Sequence, residues 1–218
     1  MIKSSRGLWI AFFGPDGIGK SAVIERLQRQ LDPVFIGSTR FHFRPHFRTS
    51  GRELPPVTEP HANTPRGALL SIGKLLFWFM DCWYGYFVAI RSRRGNGGLV
   101  IFDRYYPDML VDPRRYRLPA TTIPFARWLS RYTPRPDLYV LLDAPADVVL
   151  TRKSELPIAE LRRQRVSYLK LFETLHSRLI VTADASIDEV SRNVSAAILS
   201  TETTSLLQAC ESPIAVSL

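Results

Sequence analysis

The chain has 218 residues, 45% of them hydrophobic and 22% charged, so its composition is that of one soluble globular domain and not of a disordered or fibrous protein. Two cysteines are too few for a disulfide framework, and we therefore expect a cytoplasmic protein. The formal net charge is +9, and 24 of the 29 basic residues are arginine, which binds phosphate or carboxylate through two hydrogen bonds at once. This charge has four possible explanations: a polyanionic small ligand, a nucleic acid, an acidic membrane surface, or an arginine-rich composition without function.

The first predicted strand is the apolar run Leu8–Phe13, which ends at the turn residues Gly-Pro-Asp-Gly. The chain starts with a basic end and a short apolar run, but a glycine loop follows where a signal peptide would have a small-residue cleavage site. We therefore predict no signal peptide. Apolar residues at helical spacing then predict a helix over Lys20–Leu31, which Pro33 ends.

The stretch GPDGIGKS joins this strand to this helix and fits the pattern G-x-x-x-x-G-K-[ST] in full. Its glycines let backbone N–H groups point inward around a phosphate, and the helix that begins at Lys20 directs its positive end at the same anion. Lys20 is expected to contact the β- and γ-phosphates, and the Ser21 hydroxyl to ligate Mg²⁺. The sequence therefore predicts a site for ATP and Mg²⁺. The expected loop contacts are Gly14, Asp16, Gly17, Ile18, Gly19, Lys20, Ser21 and Ala22.

An arginine- and aromatic-rich run, 35–48, comes next, and its first part is expected to form the second strand. Five prolines between residues 45 and 65 predict a surface loop. A long helix is expected after this loop. Its segment Leu69–Ile90 is long enough to suggest a membrane span, but Lys74 and Asp81 interrupt it, so we predict a helix buried in a soluble core and no membrane span.

The strand Leu99–Asp103 ends in an aspartate that is expected to hold Mg²⁺ directly or through water. Hydrolytic ATPases usually place a glutamate next to activate water, whereas this chain has Arg104. An arginine instead neutralises charge on a transferring phosphoryl group, which favours transfer to an acceptor over hydrolysis of ATP. The other interpretation of Asp103 is a polar residue that caps the following turn. Asp143 ends a later strand, and for it a turn residue is an equally good interpretation.

Further strands at Asp137–Asp143 and Leu179–Asp184 alternate with helices predicted at Phe125–Tyr132, Ala146–Arg152, Ile158–Ser177 and Ile187–Leu199. This alternation predicts an α/β domain over residues 1–199 with a mostly parallel sheet. In such sheets ligands bind at the carboxyl ends of the strands, where the glycine loop and Asp103 fall. Residues 200–218 lack periodicity and are expected to form a disordered tail.

The segment 151–165, TRKSELPIAELRRQR, is dense in arginine and fits a mobile basic lid that closes over the phosphates and excludes water. We expect Arg152 to belong to this lid and to stabilise the transferring phosphoryl group. Arg162 and Arg165 fit either the lid or a solvated helix face, on which Glu160 would pair with a neighbouring arginine.

Several segments together resemble the thymidylate kinase family of P-loop nucleotide kinases. GPDGIGKS resembles its phosphate loop, LLFWFMD its acceptor-side helix, VIFDRYYPD its D-R-Y segment, LLDAPADVVLTRK the elements before its lid, and VTADASIDEV its segment near the adenine. These segments cover most of the chain from Leu8 to Leu199 in the family's order. The run DRYYPDMLVDPRRYR is also similar to a divergent branch found with bacterial surface-polysaccharide genes. The resemblance implies a three-layer, nucleotide kinase-like P-loop NTPase fold with a five-stranded parallel sheet flanked by helices and a helical lid.

The resemblance also implies a reaction: transfer of the γ-phosphate of Mg-ATP to a nucleoside monophosphate or a polar glycan-precursor acceptor. Lys20, Arg104 and Arg152 would stabilise the moving phosphoryl group. Asp16 would orient the acceptor through a sugar hydroxyl, although Pro-Asp-Gly is equally a common turn sequence. Asp184 would lie with Arg152 in the cofactor site near the adenine.

The expected acceptor side departs from the family. Cys82 stands where the family usually has an arginine that holds the acceptor phosphate, and Arg44 is left to take that role. The aromatic residues around Asp81 on the long helix would form either a pocket wall or core. The expected acceptor site comprises Arg44, Asp81, Tyr84, Arg104 and Asp108.

Two functions of other classes stay open. The departure at Cys82 also fits a non-catalytic ATP-binding component of a polysaccharide-biosynthesis assembly. The +9 charge also fits a nucleic-acid end kinase, although no nucleic-acid module is recognised, and we expect no nucleic-acid partner. The family tends to dimerise through the long helix, so the resemblance implies a homodimer formed through residues 66–94.

Overall fold

The computed structural model describes residues 7–43, 67–152 and 156–210, with side chains described as far as Ser200. The predicted proline-rich loop and Arg44 of the expected acceptor site lie outside the described residues, as do residues 153–155 of the expected lid. The described residues form an α/β fold in which helices flank one sheet on both sides.

Five strands form one parallel sheet in the order β2-β3-β1-β4-β5. The strands are β1 (Leu8–Phe13), β2 (Ser38–His42), β3 (Leu99–Asp103), β4 (Leu138–Asp143) and β5 (Arg178–Thr182). The central strand β1 pairs with β3, where Phe12 lies opposite Asp103, and with β4, where Phe12 lies opposite Val140. The carboxyl ends of β1 and β3 therefore meet at one edge of the sheet, which brings the glycine loop beside Asp103.

The helices fill the connections between the strands. They are α1 (Lys20–Leu31), α2 (Ala68–Gly85), α3 (Arg91–Gly95), α4 (Asp108–Val111), α5 (Ile123–Ser130), α6 (Ala146–Arg152), α7 (Ile158–Glu173) and α8 (Ile187–Cys210). A π-helical turn, Tyr86–Ile90, joins α2 to α3, so the chain is helical throughout 68–95 as the sequence predicts. A short 3₁₀ turn, Ala120–Thr122, precedes α5.

Two helix ends differ from the prediction by more than two residues. Helix α7 ends at Glu173 and not at Ser177, because Ser177 has a φ of +49°, which a right-handed helix does not accommodate. Helix α8 continues to Cys210, whereas the sequence predicted a disordered tail from residue 200. Helix propagation is cooperative, and the first helix-breaking residue after this stretch is Pro213, so apolar periodicity alone underestimates the length of α8.

Alternate residues of β1 face two separate cores, one on each side of the sheet. Ile10 and Phe12 pack into the core that includes α1 and α8. Trp9 and Phe13 pack into the core that includes α2, α5 and α7. Successive side chains of a strand point to opposite faces, so a strand that is apolar at every position needs helices on both sides. This arrangement confirms the predicted three-layer architecture.

Helix α2 is buried on one face only, so the prediction of a helix buried in the core is half correct. Leu75 and Cys82 are buried against the sheet, whereas Leu69, Phe77 and Met80 are 82%, 61% and 69% exposed. The exposed side chains recur at helical spacing and form a continuous apolar stripe. Among the described residues, no helix combines the length and the hydropathy needed to cross a membrane.

Candidate active site

The glycine loop between β1 and α1 depends on backbone conformations that favour glycine. Gly14, Gly17 and Gly19 have φ values of +140°, +83° and +95°. A Cβ on Gly14 would also lie 2.8 Å from the carbonyl oxygen of Leu142, a contact that the rigid end of β4 does not relieve. Ile18 anchors the loop by packing its side chain into the core, so only its backbone is available to a ligand. The loop therefore has the shape that a phosphate-binding loop requires.

Lys20 is the first residue of α1, and its side chain turns back into the loop. Its Nζ atom donates hydrogen bonds to the carbonyl oxygens of Gly14 and Pro15 at 2.7 Å and 2.8 Å. Burial, together with the charge of Arg104, lowers the pKa of Lys20 to about 8, although nearby carboxylates act in the opposite direction. Lys20 therefore carries its charge at pH 7, where the loop would enclose the β- and γ-phosphates of a nucleotide.

Ser21 and Asp103, the two predicted magnesium ligands, converge on one atom. Nη2 of Arg40 donates to Oδ2 of Asp103 at 2.6 Å and to Oγ of Ser21 at 2.9 Å. Burial alone would raise the pKa of Asp103, but His42, Lys20 and Arg40 together hold it well below its usual range. A hydroxyl and a permanently charged carboxylate are oxygen ligands of the kind that Mg²⁺ uses with substrate phosphates, so this pair fits the ion.

Arg40 and His42 are site residues that the sequence analysis missed. They lie two residues apart at the end of β2, so they share one face of the strand, while Phe41 points to the other face and packs on Phe102. The alternation of polar and aromatic residues in RFH is the pattern that would have indicated this. It is short, and it does not show which strand lies next to β2.

Arg104 follows β3 in a conformation that is unusual for a side chain other than glycine, with a φ of +71°. Its backbone N–H donates to the carbonyl of Phe12, which fixes this turn to the end of β1. The buried guanidinium spans two carboxylates: Nη1 donates to both oxygens of Asp108 at 2.9 Å and 2.8 Å, and Nη2 donates to Asp16 at 2.6 Å. The strained turn thus directs Arg104 at the edge of the glycine loop.

Asp108 is fully buried and binds the nitrogen of the Arg104 guanidinium that does not contact Asp16. Besides Arg104, it accepts hydrogen bonds from the phenols of Tyr116 and Tyr168, each at 2.7 Å. Burial and the carboxylate of Asp108 raise the pKa of both phenols well above the usual range, so they stay protonated and donate. This geometry favours a positioning role for Asp108, whose predicted contact with an acceptor stays a prediction.

Asp16 lies between two arginines at the edge of the glycine loop. Arg104 donates to one of its oxygens and Arg115 to the other. Burial alone would raise the pKa of Asp16, but the charges of Arg104, Lys20 and Arg115 hold it well below its usual range. Asp16 is thus a permanent anion here and not merely a turn residue. Arg115 comes from the loop after α4.

Arg152, at the end of α6, reaches the other side of the glycine loop. Its guanidinium donates to the carbonyl oxygen of Ala183 at 2.6 Å and lies within 3.5 Å of the carbonyls of Asp184, Ala185 and Ile18. It therefore joins the glycine loop to the connection between β5 and α8, where the sequence predicted the cofactor residue Asp184. Arg152 thus lies beside the backbone of Asp184, and the roles of both residues toward a cofactor stay predictions.

Two further arginines of the expected lid, Arg163 and Arg165, have carboxylate partners. Arg165 donates to both oxygens of Asp143 at 2.7 Å and 2.8 Å. Arg163 forms a pair of hydrogen bonds with Glu160, which is the helix-face interaction that the sequence offered as the alternative. Asp143 therefore acts as an ion-pair partner at the end of β4, and Arg165 is held by it.

The residues that α2 was expected to contribute lie on different faces of the helix. Trp78 packs inward, in a cluster with Phe43 and Tyr116 in which the rings of Phe43 and Tyr116 stack at 4.7 Å. Tyr84 lies on the exposed face, and Asp81 is half-buried. Cys82 is only 1% exposed and belongs to the core.

No family model matches the chain, but comparisons with known proteins find similar sequences and a similar structure. A thymidylate kinase of Xanthomonas euvesicatoria pv. vesicatoria is 28% identical over 201 residues, which cover 88% of this chain and 84% of the relative. A thymidylate kinase of Xylella fastidiosa is 29% identical over 162 residues, or 67% of this chain and 63% of the relative. The solved structure of thymidylate kinase from Candida albicans has a TM-score of 0.65 and 20% identity, and the match covers 92% of this chain and 94% of that one.

The structural similarity confirms the nucleotide kinase-like P-loop fold, because it extends over nearly the whole of both chains. The related sequences and the structural match together indicate a kinase enzyme.

Proposed function

We propose that this chain is an ATP-dependent nucleotide kinase that transfers the γ-phosphate of Mg-ATP to a nucleoside monophosphate, with thymidine monophosphate as the first acceptor to test. The observation that carries the proposal is the contact between the phosphate loop and a pair of arginines. Asp16, on the loop, holds Arg104 and Arg115 at the loop's edge, where the phosphate of an anionic acceptor would have to approach. The names of the similar proteins, all thymidylate kinases, support this choice of acceptor.

On the donor side, the loop N–H groups and Lys20 would hold the β- and γ-phosphates. Ser21 and Asp103 would hold Mg²⁺, which supplies charge neutralisation on the phosphates when it is bound. Arg152 would close the adenine end of the site through its contacts with the connection after β5. Catalysis of this kind consists of positioning and charge stabilisation, so the protein needs no nucleophile of its own.

On the acceptor side, Arg104 is oriented by Asp108 and would neutralise charge on the transferring group. Arg115 would bind the acceptor's phosphate, and Asp16 would accept a hydrogen bond from its sugar hydroxyl. The aromatic cluster of Phe43, Trp78 and Tyr116 adjoins these groups, and although its residues are only 7–9% exposed, its edge would offer a wall for a planar base. Arg44, Asp81 and Tyr84 stay predicted acceptor residues.

The proposal is tested by incubating the chain with Mg-ATP and a panel of acceptors while phosphorus NMR follows the products. The panel contains thymidine monophosphate, the other nucleoside monophosphates, a set of sugars and sugar phosphates, and an oligonucleotide with a free 5′ hydroxyl. ADP that forms only with a nucleoside monophosphate supports the proposal. ADP that forms only with a sugar would instead support the glycan-precursor acceptor and the polysaccharide-associated branch.

The remaining outcomes would overturn the proposal in different ways. Tight ATP binding without turnover on any panel member indicates a non-catalytic nucleotide-binding component. Phosphate that appears only on the oligonucleotide indicates an end kinase, whose affinity for the strand should fall steeply with salt. The Lys20→Ala variant is the control for every arm, because any phosphate transfer that survives in it does not depend on the loop.

We also propose that a second copy of the chain covers the exposed face of α2. Leu69, Leu76, Met80, Trp83 and Phe87 recur at spacings of seven, four, three and four residues, which is the stripe of a helix that packs against another helix. Sedimentation should show a dimer that Met80→Glu dissociates. Val166→Glu, at an exposed apolar position of α7, is the matched control and should leave the dimer intact. A monomeric parent chain would contradict this proposal.

A further inference from the structure

Arg40 holds the two predicted magnesium ligands together. Its Nη2 atom carries two N–H bonds, and both are used: one donates to Asp103 at 2.6 Å and the other to Ser21 at 2.9 Å. The Asp103 side chain is only 6% exposed, whereas that of Arg40 is 28% exposed, so the guanidinium approaches the carboxylate from the more open side. A positive group therefore lies between the hydroxyl and the carboxylate that an incoming magnesium ion would need.

We propose that Arg40 is an internal counter-ion that competes with Mg²⁺ for Ser21 and Asp103. The inference rests on the proposed function in one respect, namely that these two residues are the magnesium ligands. Oδ2 of Asp103 accepts a short, charge-assisted hydrogen bond from Arg40, and the same oxygen is within 3.8 Å of His42. The Ser21 oxygen accepts this hydrogen bond through one of its own lone pairs, and that lone pair would otherwise be free to bind the ion.

The structure also offers a place for Arg40 to move. Its Nη1 atom lies 3.9 Å from Oε1 of Glu25, whose side chain is 63% exposed, on the first turns of α1. A rotation of the guanidinium toward Glu25 would release Ser21 and Asp103 and keep the arginine partly neutralised. The protein would then bind Mg²⁺ weakly by itself and strongly together with the triphosphate, because the negative charge of the nucleotide compensates for the displaced arginine.

The test is the direct binding of Mn²⁺, used in place of Mg²⁺ and followed by the EPR signal of the free ion, with the full chain and no acceptor. Arg40→Gln should bind Mn²⁺ about tenfold more tightly than the parent chain, since a hydrogen bond to a charged group no longer has to be broken. Arg40→Lys keeps the charge and should bind more weakly than Arg40→Gln. Arg29→Gln removes one positive charge from α1 without touching the site and is the matched control, expected to behave as the parent.

A double-mutant cycle tests the movement toward Glu25. Glu25→Gln should weaken Mn²⁺ binding in the parent chain and leave it unchanged in Arg40→Gln, because the effect passes through the arginine. Adding Asp103→Asn to Arg40→Gln should abolish the gained affinity, which shows that the ion binds at this carboxylate. Circular dichroism of each variant establishes that the fold is retained.

Mn²⁺ binding by Arg40→Gln that is unchanged or weaker would overturn the proposal, because the arginine would then support the metal site. An equal gain in Arg29→Gln would also overturn it, since the effect would be one of net charge. The outcome is separable from that of the kinase proposal. A tenfold gain in metal affinity without phosphate transfer to any acceptor would support the competition between Arg40 and the ion, and it would overturn the proposal of a nucleotide kinase.

Discussion

The proposed donor and acceptor sides of the site are built in different ways. The donor side consists mainly of one continuous stretch, Gly14–Ser21, whose geometry follows from its own glycines and from the helix after it. The acceptor side is assembled from Asp16, Arg104, Asp108 and Tyr168, which are up to 152 positions apart and meet through buried hydrogen bonds. The donor side is thus formed by residues close in sequence at the edge of the sheet, whereas the acceptor side is part of the core. Substitutions should separate activity from stability in the first and not in the second.

The largest expected effect is that of Lys20→Ala on the donor side. Loss of the ammonium that would contact the phosphates should lower kcat/KM by about 10³-fold. The melting temperature should stay equal or rise, because burial already disfavours the charged form of Lys20 and the substitution removes that cost. Steady-state kinetics and thermal unfolding of the same preparation measure the two effects. A large drop in melting temperature would contradict a purely local donor side.

Asp108→Asn should have the next largest effect, on stability and activity together. It leaves the buried guanidinium of Arg104 without one of its two carboxylates, and breaking a buried ion pair in this way costs about 3 kcal/mol. Urea denaturation measures the loss. Glu160→Gln, which breaks the exposed pair with Arg163, is the control and should cost less than about 1 kcal/mol. Equal effects of the two substitutions would show that the acceptor network is not part of the core.

Arg115→Gln should change the acceptor side alone. We expect the KM for the acceptor to rise about tenfold, the size of one hydrogen bond to a charged group, while the KM for ATP stays within twofold. Arg114→Gln makes the same charge change at an exposed neighbour and should alter neither constant. A joint rise of both KM values in Arg115→Gln would mean that the two sides are not separable at Asp16.

The smallest expected effect is a pH dependence of the unfolding free energy that results from the protonation of Asp16. Its pKa is held below the usual value in the folded chain, so its ion pairs contribute fully above the unfolded-state pKa of about 3.9 and are lost as the pH falls below it. The difference in unfolding free energy between the parent chain and Asp16→Asn should be about 1 kcal/mol at pH 7 and shrink toward pH 3. Denaturant titrations at both pH values measure it. A difference that does not change with pH would show that Asp16 does not act through its charge.

Much of the fold could be predicted because short segments of the sequence determine its strands and helices. The apolar strands, the helix after the glycine loop and the helix Ala146–Arg152 follow from periodicity and turn residues. The local sequence pattern does not predict the end of a helix where backbone conformation or cooperative propagation determines it. The φ of Ser177 ends α7 early, and cooperative propagation extends α8 to Cys210. The sequence predicts that α2 is buried, whereas one of its faces is exposed, because periodicity shows that a face is apolar without showing what covers it.

The sequence by itself determined the candidate phosphate loop: the pattern from Gly14 to Ser21, placed between a buried strand and a helix, predicts such a loop, and its glycines have the conformations that the loop needs. Only the tertiary structure decided the rest. The parallel pairing of β2 with β3 carries Arg40 to Asp103, and the strained turn at Arg104 brings Asp16, Asp108 and the two phenols together. The physical reason is that long-range hydrogen bonds between buried charges depend on which strands are neighbours, and single-sequence periodicity carries no information on neighbours.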